Sequence, residues 1–126
     1  MQECIQLNKG EFDILWGSDE ALLVGVALGA SGAVGSTYSF AAPLYLRMLA
    51  AVDTGDWRTA RTEQAKSIAM VRIFEKFNTL AALKFATSIV GVDCGPLRAP
   101  VGNLSDADKH RLRAELIEGQ YVLPGN

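Results

Sequence analysis

Cysteine and histidine are nearly absent from this chain. Its 126 residues include two cysteines and one histidine, and Cys4 and Cys94 lie far apart without the CxxC spacing typical of metal sites. The sequence therefore predicts no metal site. Because disulfide frameworks are typical of small secreted chains, we expect the two cysteines to be buried thiols in a reducing compartment.

Long apolar runs and clusters of basic residues are also missing. No stretch approaches the roughly 20 apolar residues of a membrane span, and the start of the chain has neither the basic nor the apolar region of a secretion signal. The 12 Lys and Arg residues are interspersed with 14 Asp and Glu residues, so no basic surface for nucleic acid is indicated. We expect a cytoplasmic protein that binds neither membranes nor nucleic acid and needs no cofactor.

Apolar residues make up 49% of the chain, as in a globular protein with one core. Near the start, Phe12 to Trp16 is a short apolar and aromatic run that fits a parallel strand buried on both faces. Glu20 to Leu28 follows as an apolar helix, with Ser18 or Asp19 placed to cap its first turn. These residues form the first predicted strand and helix pair.

A second pair follows directly. Gly32 to Ser36 fits a short strand, and a helix is expected to begin at Pro43, which a first helical turn tolerates. Because the connections are short, the two strands should be parallel neighbours joined by a right-handed crossover. Two parallel strands cannot form a closed barrel or an open doubly wound sheet. The remaining strands must therefore come from an absent N-terminal part or from another chain.

The second half of the chain has helical periodicity only. After Asp56, apolar residues recur at the spacing of a long amphipathic helix. Asn78 fits the N-cap of a second helix, and Ser105 opens a weak capping box for a third. We therefore predict an α/β fold in two segments, with both strands in residues 1–56 and three helices in residues 57–126.

Several short motifs occur in a distinctive order along the chain. They are GSDE at 17–20, GAVGSTYS at 32–39, FAAPLY at 40–45, TGD at 54–56 and GPLRAP at 95–100. Together they resemble the C-terminal part of the N-acetylneuraminate lyase and dihydrodipicolinate synthase family, the pyruvate-dependent class I aldolases. The resemblance implies a partial (βα)8 TIM barrel, of which this chain holds the last two βα units and a C-terminal three-helix segment.

The resemblance also implies a substrate site. Gly17 would offer its carbonyl, and Asp19, Glu20 and Ser36 their side chains, to the hydroxyl-rich tail of a sugar acid. Val34 would place its backbone near the pyruvate end. These residues fall at the C-terminal ends of two barrel strands, on the face where barrel active sites form. The alternative for the acidic pair is stabilisation of a helix N-terminus, and for Ser36 a role in a turn.

No catalytic residue is assigned in this chain. In the family, a lysine at the end of the sixth strand forms a Schiff base with pyruvate. It would precede Gly17 by one βα unit, roughly 20 to 25 residues in a barrel of usual size, and would therefore lie before Met1. None of the five lysines in the chain follows an apolar strand that could desolvate it for nucleophilic attack.

Three functions remain open at this stage. The first is an N-acetylneuraminate lyase that, when complete, cleaves a sialic acid to pyruvate and N-acetylmannosamine and assembles as a homotetramer, as the resemblance implies. The second is a dihydrodipicolinate synthase or another keto-acid aldolase of the same family. The third is a truncated remnant without catalytic activity. In each case we expect this chain alone to be inactive.

Overall fold

Helices account for most of the structure, a computed structural model that describes residues 1–122. Two single turns of 3-10 helix, Leu7–Gly10 and Asp19–Ala21, accompany the regular elements. Those elements, in chain order, are α1 Gln2–Gln6, β1 Leu15–Trp16, α2 Leu22–Ala27, β2 Gly32–Ala33, α3 Tyr38–Asp53, α4 Trp57–Phe74, α5 Thr79–Ile89 and α6 Asp106–Glu118.

The two strands pair in parallel. Leu15 lies opposite Gly32, and Trp16 lies opposite Ala33. One further hydrogen bond extends the pairing at each end, from residue 31 to residue 14 and from residue 34 to residue 16. The prediction of adjacent parallel strands is confirmed, although both strands are shorter than the sequence indicated.

The prediction that β1 is buried on both faces was wrong. Trp16 packs against α2, where a Cβ on Gly25 would lie 2.3 Å from the indole ring, so only glycine fits there. Side chains alternate along a strand, and Leu15 therefore faces the other way, where it is 54% exposed. Within residues 1–122, more than half of the Leu15 surface therefore stays uncovered.

The helix starts also differ from the prediction. α2 begins at Leu22 after a 3-10 turn, and neither Ser18 nor Asp19 makes a capping hydrogen bond to it. α3 begins at Tyr38, five residues earlier than expected, and kinks at Ala41 just before Pro43. The kink fits the constraint that proline cannot donate a backbone hydrogen bond within a helix.

The three later helices begin where the sequence indicated. Asp56, Asn78 and Ser105 are their N-caps, and each side chain accepts a hydrogen bond from the N–H three residues ahead, at 3.0, 3.3 and 3.1 Å. These caps satisfy backbone donors that an uncapped first turn leaves free. The predicted caps Asn78 and Ser105 are confirmed.

A single apolar core joins the strand-bearing half to the later helices. It is formed mainly by residues from α2 to α6, and its members include Leu22, Phe40, Tyr45, Met48, Met70, Phe74, Leu112 and Leu116. The turn at 54–56 separates α3 from α4, which pack on each other within this core. The division at residue 56 stays a prediction, and the last four residues of its second segment lie outside the described part.

Both cysteines are exposed, so the expectation of buried thiols was wrong. Cys4 lies on the short α1, which buries none of its residues, and Cys94 lies in the loop before α6. No helix within residues 1–122 is long and apolar enough to cross a membrane.

Leu116→Ala should test the attachment of α6 to the core. Leu116 is fully buried, so its truncation should lower the free energy of unfolding by about 2–5 kcal/mol. The matched variant Ile117→Ala alters the next residue, which is 40% exposed, and should cost less than about 1 kcal/mol. Urea unfolding of both variants measures the difference, and equal losses would contradict the packing of α6 described above.

Candidate functional site

A cavity of about 450 Å³ opens at the carboxyl ends of the two strands. Because β1 and β2 are parallel, the segments that follow them meet at one edge of the sheet. One wall consists of strand-end residues, which are Gly17, Asp19, Glu20, Val34, Gly35, Ser36 and Thr37. The other wall comes from α4 and α5, and contains Val71, Phe74, Thr79 and Leu83. All five residues predicted from the sequence therefore border the same cavity.

Asp19 is the buried member of the acidic pair, with 7% of its surface exposed. Its Oδ2 accepts two hydrogen bonds from Thr37, one from the backbone N–H at 3.0 Å and one from the hydroxyl at 2.6 Å. Charge-assisted bonds of this kind are stronger than bonds between neutral groups. The carboxylate therefore ties the end of β1 to the end of β2 instead of capping α2.

A chain of hydroxyl groups continues from Thr37 into the core. The Thr37 hydroxyl lies 2.6 Å from that of Tyr45, which lies 2.9 Å from that of Ser67. Ser67 in turn donates to the backbone carbonyl of Asp19 at 3.0 Å, which closes a ring. All four residues are buried. The ring links both strand ends to α3 and α4.

Gln64 adds a second clamp on the same segment. Its side-chain amide donates to the Asp19 carbonyl at 3.2 Å, and its carbonyl oxygen accepts the N–H of Leu23 at 3.0 Å. Both groups of the amide are thus satisfied, as expected for a buried polar side chain. The short turn that carries the acidic pair is held from α4.

Because Gly35 has no side chain, the Asp19 carboxylate can occupy the space beside it. A Cβ at this position would lie 1.8 Å from Asp19 Oδ1 and 2.7 Å from Cζ of Tyr38. Any larger residue would therefore push the carboxylate out of place. Asp19 Oδ1 lies against Gly35 on the cavity wall, whereas Oδ2 points to Thr37.

The remaining predicted residues are open to solvent. Glu20, Ser36 and Gly17 are exposed, and Val34 is 65% exposed. No described residue donates a hydrogen bond to the Glu20 carboxylate. The wall therefore offers one fixed carboxylate, one unconstrained carboxylate, a hydroxyl and backbone groups, a set suited to a ligand with several hydroxyl groups.

Two tyrosines, Tyr38 and Tyr45, lie behind this wall with their rings tilted at 59° to each other and their centroids 4.3 Å apart. Burial, together with the negative charge of Asp19, raises the pKa of Tyr38 to about 12. Burial also raises the pKa of Tyr45, although its hydrogen bonds with Ser67 and Thr37 oppose the effect. The Tyr38 hydroxyl is the one buried side-chain polar atom in the described part that has no hydrogen-bond partner.

None of the cavity-lining residues described is a lysine. Lys66, which lies on α4, binds Glu63, which also accepts two bonds from Arg47. Burial acts to raise the pKa of Glu63, but the bonds from Lys66 and Arg47 outweigh it and lower the pKa overall. The Lys66 ammonium thus belongs to a structural ion pair.

Sequence reasoning missed the residues behind the wall. Thr37 and Tyr45 were noted only as parts of the GAVGSTYS and FAAPLY motifs. Ser67 and Gln64 carried no signal beyond their place on an amphipathic helix. Because these partners lie 18 to 48 residues from Asp19 in the chain, no local pattern could reveal them.

Comparison with known proteins gives the family of this chain. Residues 1–118 match the sequence profile of the Dihydrodipicolinate synthetase family. The chain therefore belongs to this family, and it has the α/β fold of these barrel aldolases.

Several relatives carry more specific names. N-acetylneuraminate lyase A of Xenopus laevis is 36% identical over 109 residues, which are 85% of this chain and 35% of that protein. An uncharacterised DapA-like lyase of Halobacterium salinarum is 32% identical over 86% of this chain and 36% of its own length. The structure of Proteus mirabilis N-acetylneuraminate lyase superimposes with a TM-score of 0.90 and 35% identity, over 96% of this chain and 41% of that one. The chain thus spans between a third and two fifths of these relatives.

Tyr38→Phe should remove a buried hydroxyl that lacks a partner. An unsatisfied buried polar group costs about 1–3 kcal/mol, so the variant should be more stable by about 1 kcal/mol near neutral pH. Tyr38 also has a folded-state pKa above its ordinary value of 10. The unfolded state therefore loses this proton first, and the free energy of unfolding of the unaltered protein falls as the pH rises from 10 towards 12, a loss that Tyr38→Phe should remove. Urea unfolding at pH 7 and across this interval measures both effects.

Tyr45→Phe is the matched control, because the same change removes a hydroxyl that bridges Thr37 and Ser67. It should lower stability by about 1–2 kcal/mol. A loss of stability in Tyr38→Phe equal to that in Tyr45→Phe would mean that the Tyr38 hydroxyl has a partner in solution.

Proposed function

We propose that this chain provides the sugar-tail wall of an N-acetylneuraminate lyase-like Schiff-base aldolase. In this proposal, residues before 57 form the last two βα units of a (βα)8 barrel and residues 57–126 form its C-terminal helical segment. The complete protein would cleave a sialic acid to pyruvate and N-acetylmannosamine. Full-length family members would assemble as homotetramers, and the missing barrel units would supply the catalytic lysine.

The observation that carries the proposal is the acidic wall itself. Two carboxylates and the Ser36 hydroxyl converge on one cavity at the carboxyl ends of parallel strands. A hydroxyl-rich tail offers donors to such carboxylates, and active sites of barrels lie at this end of the strands. The relatives named as N-acetylneuraminate lyases support the choice of a sialic acid.

The same wall separates recognition from bond cleavage. Imine formation needs a lysine that is desolvated or held near another cation, and the cavity wall described has none. The lysine would therefore come from the part of the relatives that this chain does not span. The chain alone would bind a ligand without cleaving it.

This chain alone should form no covalent adduct with pyruvate. After incubation with pyruvate and sodium borohydride, mass spectrometry should detect no modified lysine, because an imine requires a desolvated amine. Proteus mirabilis N-acetylneuraminate lyase treated in parallel provides the positive control. A stable pyruvyl adduct on Lys9, Lys66, Lys76, Lys84 or Lys109 would refute this proposal.

Substrate choice can be tested in a chimera that joins this chain to the rest of the Proteus mirabilis lyase, in place of the 41% that it matches. Glu20→Gln removes the charge of the unconstrained carboxylate. It should lower efficiency towards a sialic acid by about tenfold, because charge-assisted hydrogen bonds contribute about 1.5–3 kcal/mol. Efficiency towards a keto acid with a short tail should fall less, as measured by steady-state kinetics.

The control for this experiment is Glu118→Gln, which makes the same change at an exposed position on α6. Borohydride trapping should be unchanged in both variants. Equal losses on long and short substrates would reduce Glu20 to a helix-terminus residue. Asp19→Ala is the less specific test, because its carboxylate also holds Thr37 in place.

A further inference from the structure

The proton count of the hydroxyl ring fixes the direction of its hydrogen bonds. The Asp19 carboxylate and the Asp19 carbonyl can only accept, so Thr37 and Ser67 each donate their single hydroxyl proton to Asp19. The Tyr45 proton is then available to one neighbour at a time. The contact with Thr37 is the shorter, 2.6 Å against 2.9 Å. This favours a chain in which Tyr45 donates to Thr37 and Thr37 donates to the carboxylate.

This series of hydrogen bonds restrains one oxygen of the Asp19 carboxylate more strongly than a single bond would. Consecutive hydrogen bonds that point the same way polarise each other, and this one ends on Asp19 Oδ2. That oxygen accepts the Thr37 N–H as well. Oδ2 is therefore occupied by two donors, and Oδ1, which lies against Gly35 on the cavity wall, is the oxygen left to a ligand.

We propose that Thr37 is a positioning residue that makes Asp19 recognise a single ligand hydroxyl, with Tyr45 supporting it. This inference rests on the proposed function and adds a residue that would determine tail specificity. With Oδ2 occupied, Asp19 accepts from one hydroxyl through Oδ1. Glu20, whose carboxylate no described residue engages, has both oxygens available for a second hydroxyl.

A purely structural role would not need a charge at this place. Burying a carboxylate is costly even when it is hydrogen bonded, and a neutral acceptor could satisfy the same two donors. The charge gains a use where Asp19 borders the cavity, because Oδ1 can form a charge-assisted bond with a ligand. The protein thus places a buried charge where the wall borders the cavity.

The test uses the full chain and two probes, N-acetylneuraminate and the same sugar acid whose glycerol tail has been shortened with periodate. Affinities are measured by following amide signals of the chain in NMR titrations. Thr37→Val keeps the backbone donor but removes the hydroxyl. It should weaken binding of the intact sugar acid by about tenfold, roughly the contribution of one charge-assisted bond. Binding of the shortened probe should change less than about twofold.

Two further variants complete the test. Thr37→Ser keeps both the backbone donor and the hydroxyl donor. Its affinity for the intact sugar acid should therefore match that of the unaltered chain, in contrast to Thr37→Val. Tyr45→Phe keeps the ring and should lower the affinity ratio of intact to shortened probe by about threefold; it decides the question if Thr37→Val does not fold. If the variants bound both probes more weakly by the same factor, or if the affinity ratio of intact to shortened probe did not change, the positioning role would be overturned and the proposed function would stand. Failure of the unaltered chain to bind either probe would overturn the proposed function, and this inference with it.

Discussion

The buried Asp19 carboxylate is the constraint on which the rest of the site depends. Taking a carboxylate out of water costs several kcal/mol unless hydrogen bonds compensate, and here both compensating donors come from Thr37. The strands themselves pair over only two residues each, and a two-stranded ribbon is marginal without further packing. The cavity edge is therefore held by side chains from the strand ends, α3 and α4 more than by the sheet.

The parts of the fold that the sequence predicted depend on local interactions. Asn78 and Ser105 cap helices through donors three residues ahead, so the pattern contains both partners. Asp19 has the residue type and position of a cap as well, yet its carboxylate binds Thr37, 18 residues away. A buried charge-assisted pair outweighs an exposed cap, and that competition is decided by tertiary packing, which a local pattern does not encode.

Burial was the property that the sequence predicted least well. A run such as FDILW is typical of a strand covered on both sides, yet burial depends on what packs against each face. α2 covers the Trp16 side, whereas Leu15 faces outwards in the described part of the chain. The expectation of buried cysteines failed for a similar reason, because Cys4 lies on a helix that buries none of its residues.

For the candidate site, the location of the residues was predictable from the sequence, but the contacts that orient them were not. Parallel topology alone was enough to predict that residues after both strands would meet, and the five predicted residues do border one cavity. Their orientation was not predictable, because Tyr45 and Ser67 act from helices that begin after the second strand. That arrangement has a consequence for the proposed function. The described groups that hold Asp19 lie at the strand ends and on α3 and α4. In the proposed function, these groups would organise tail recognition, and the lysine that would break the bond would take no part in it.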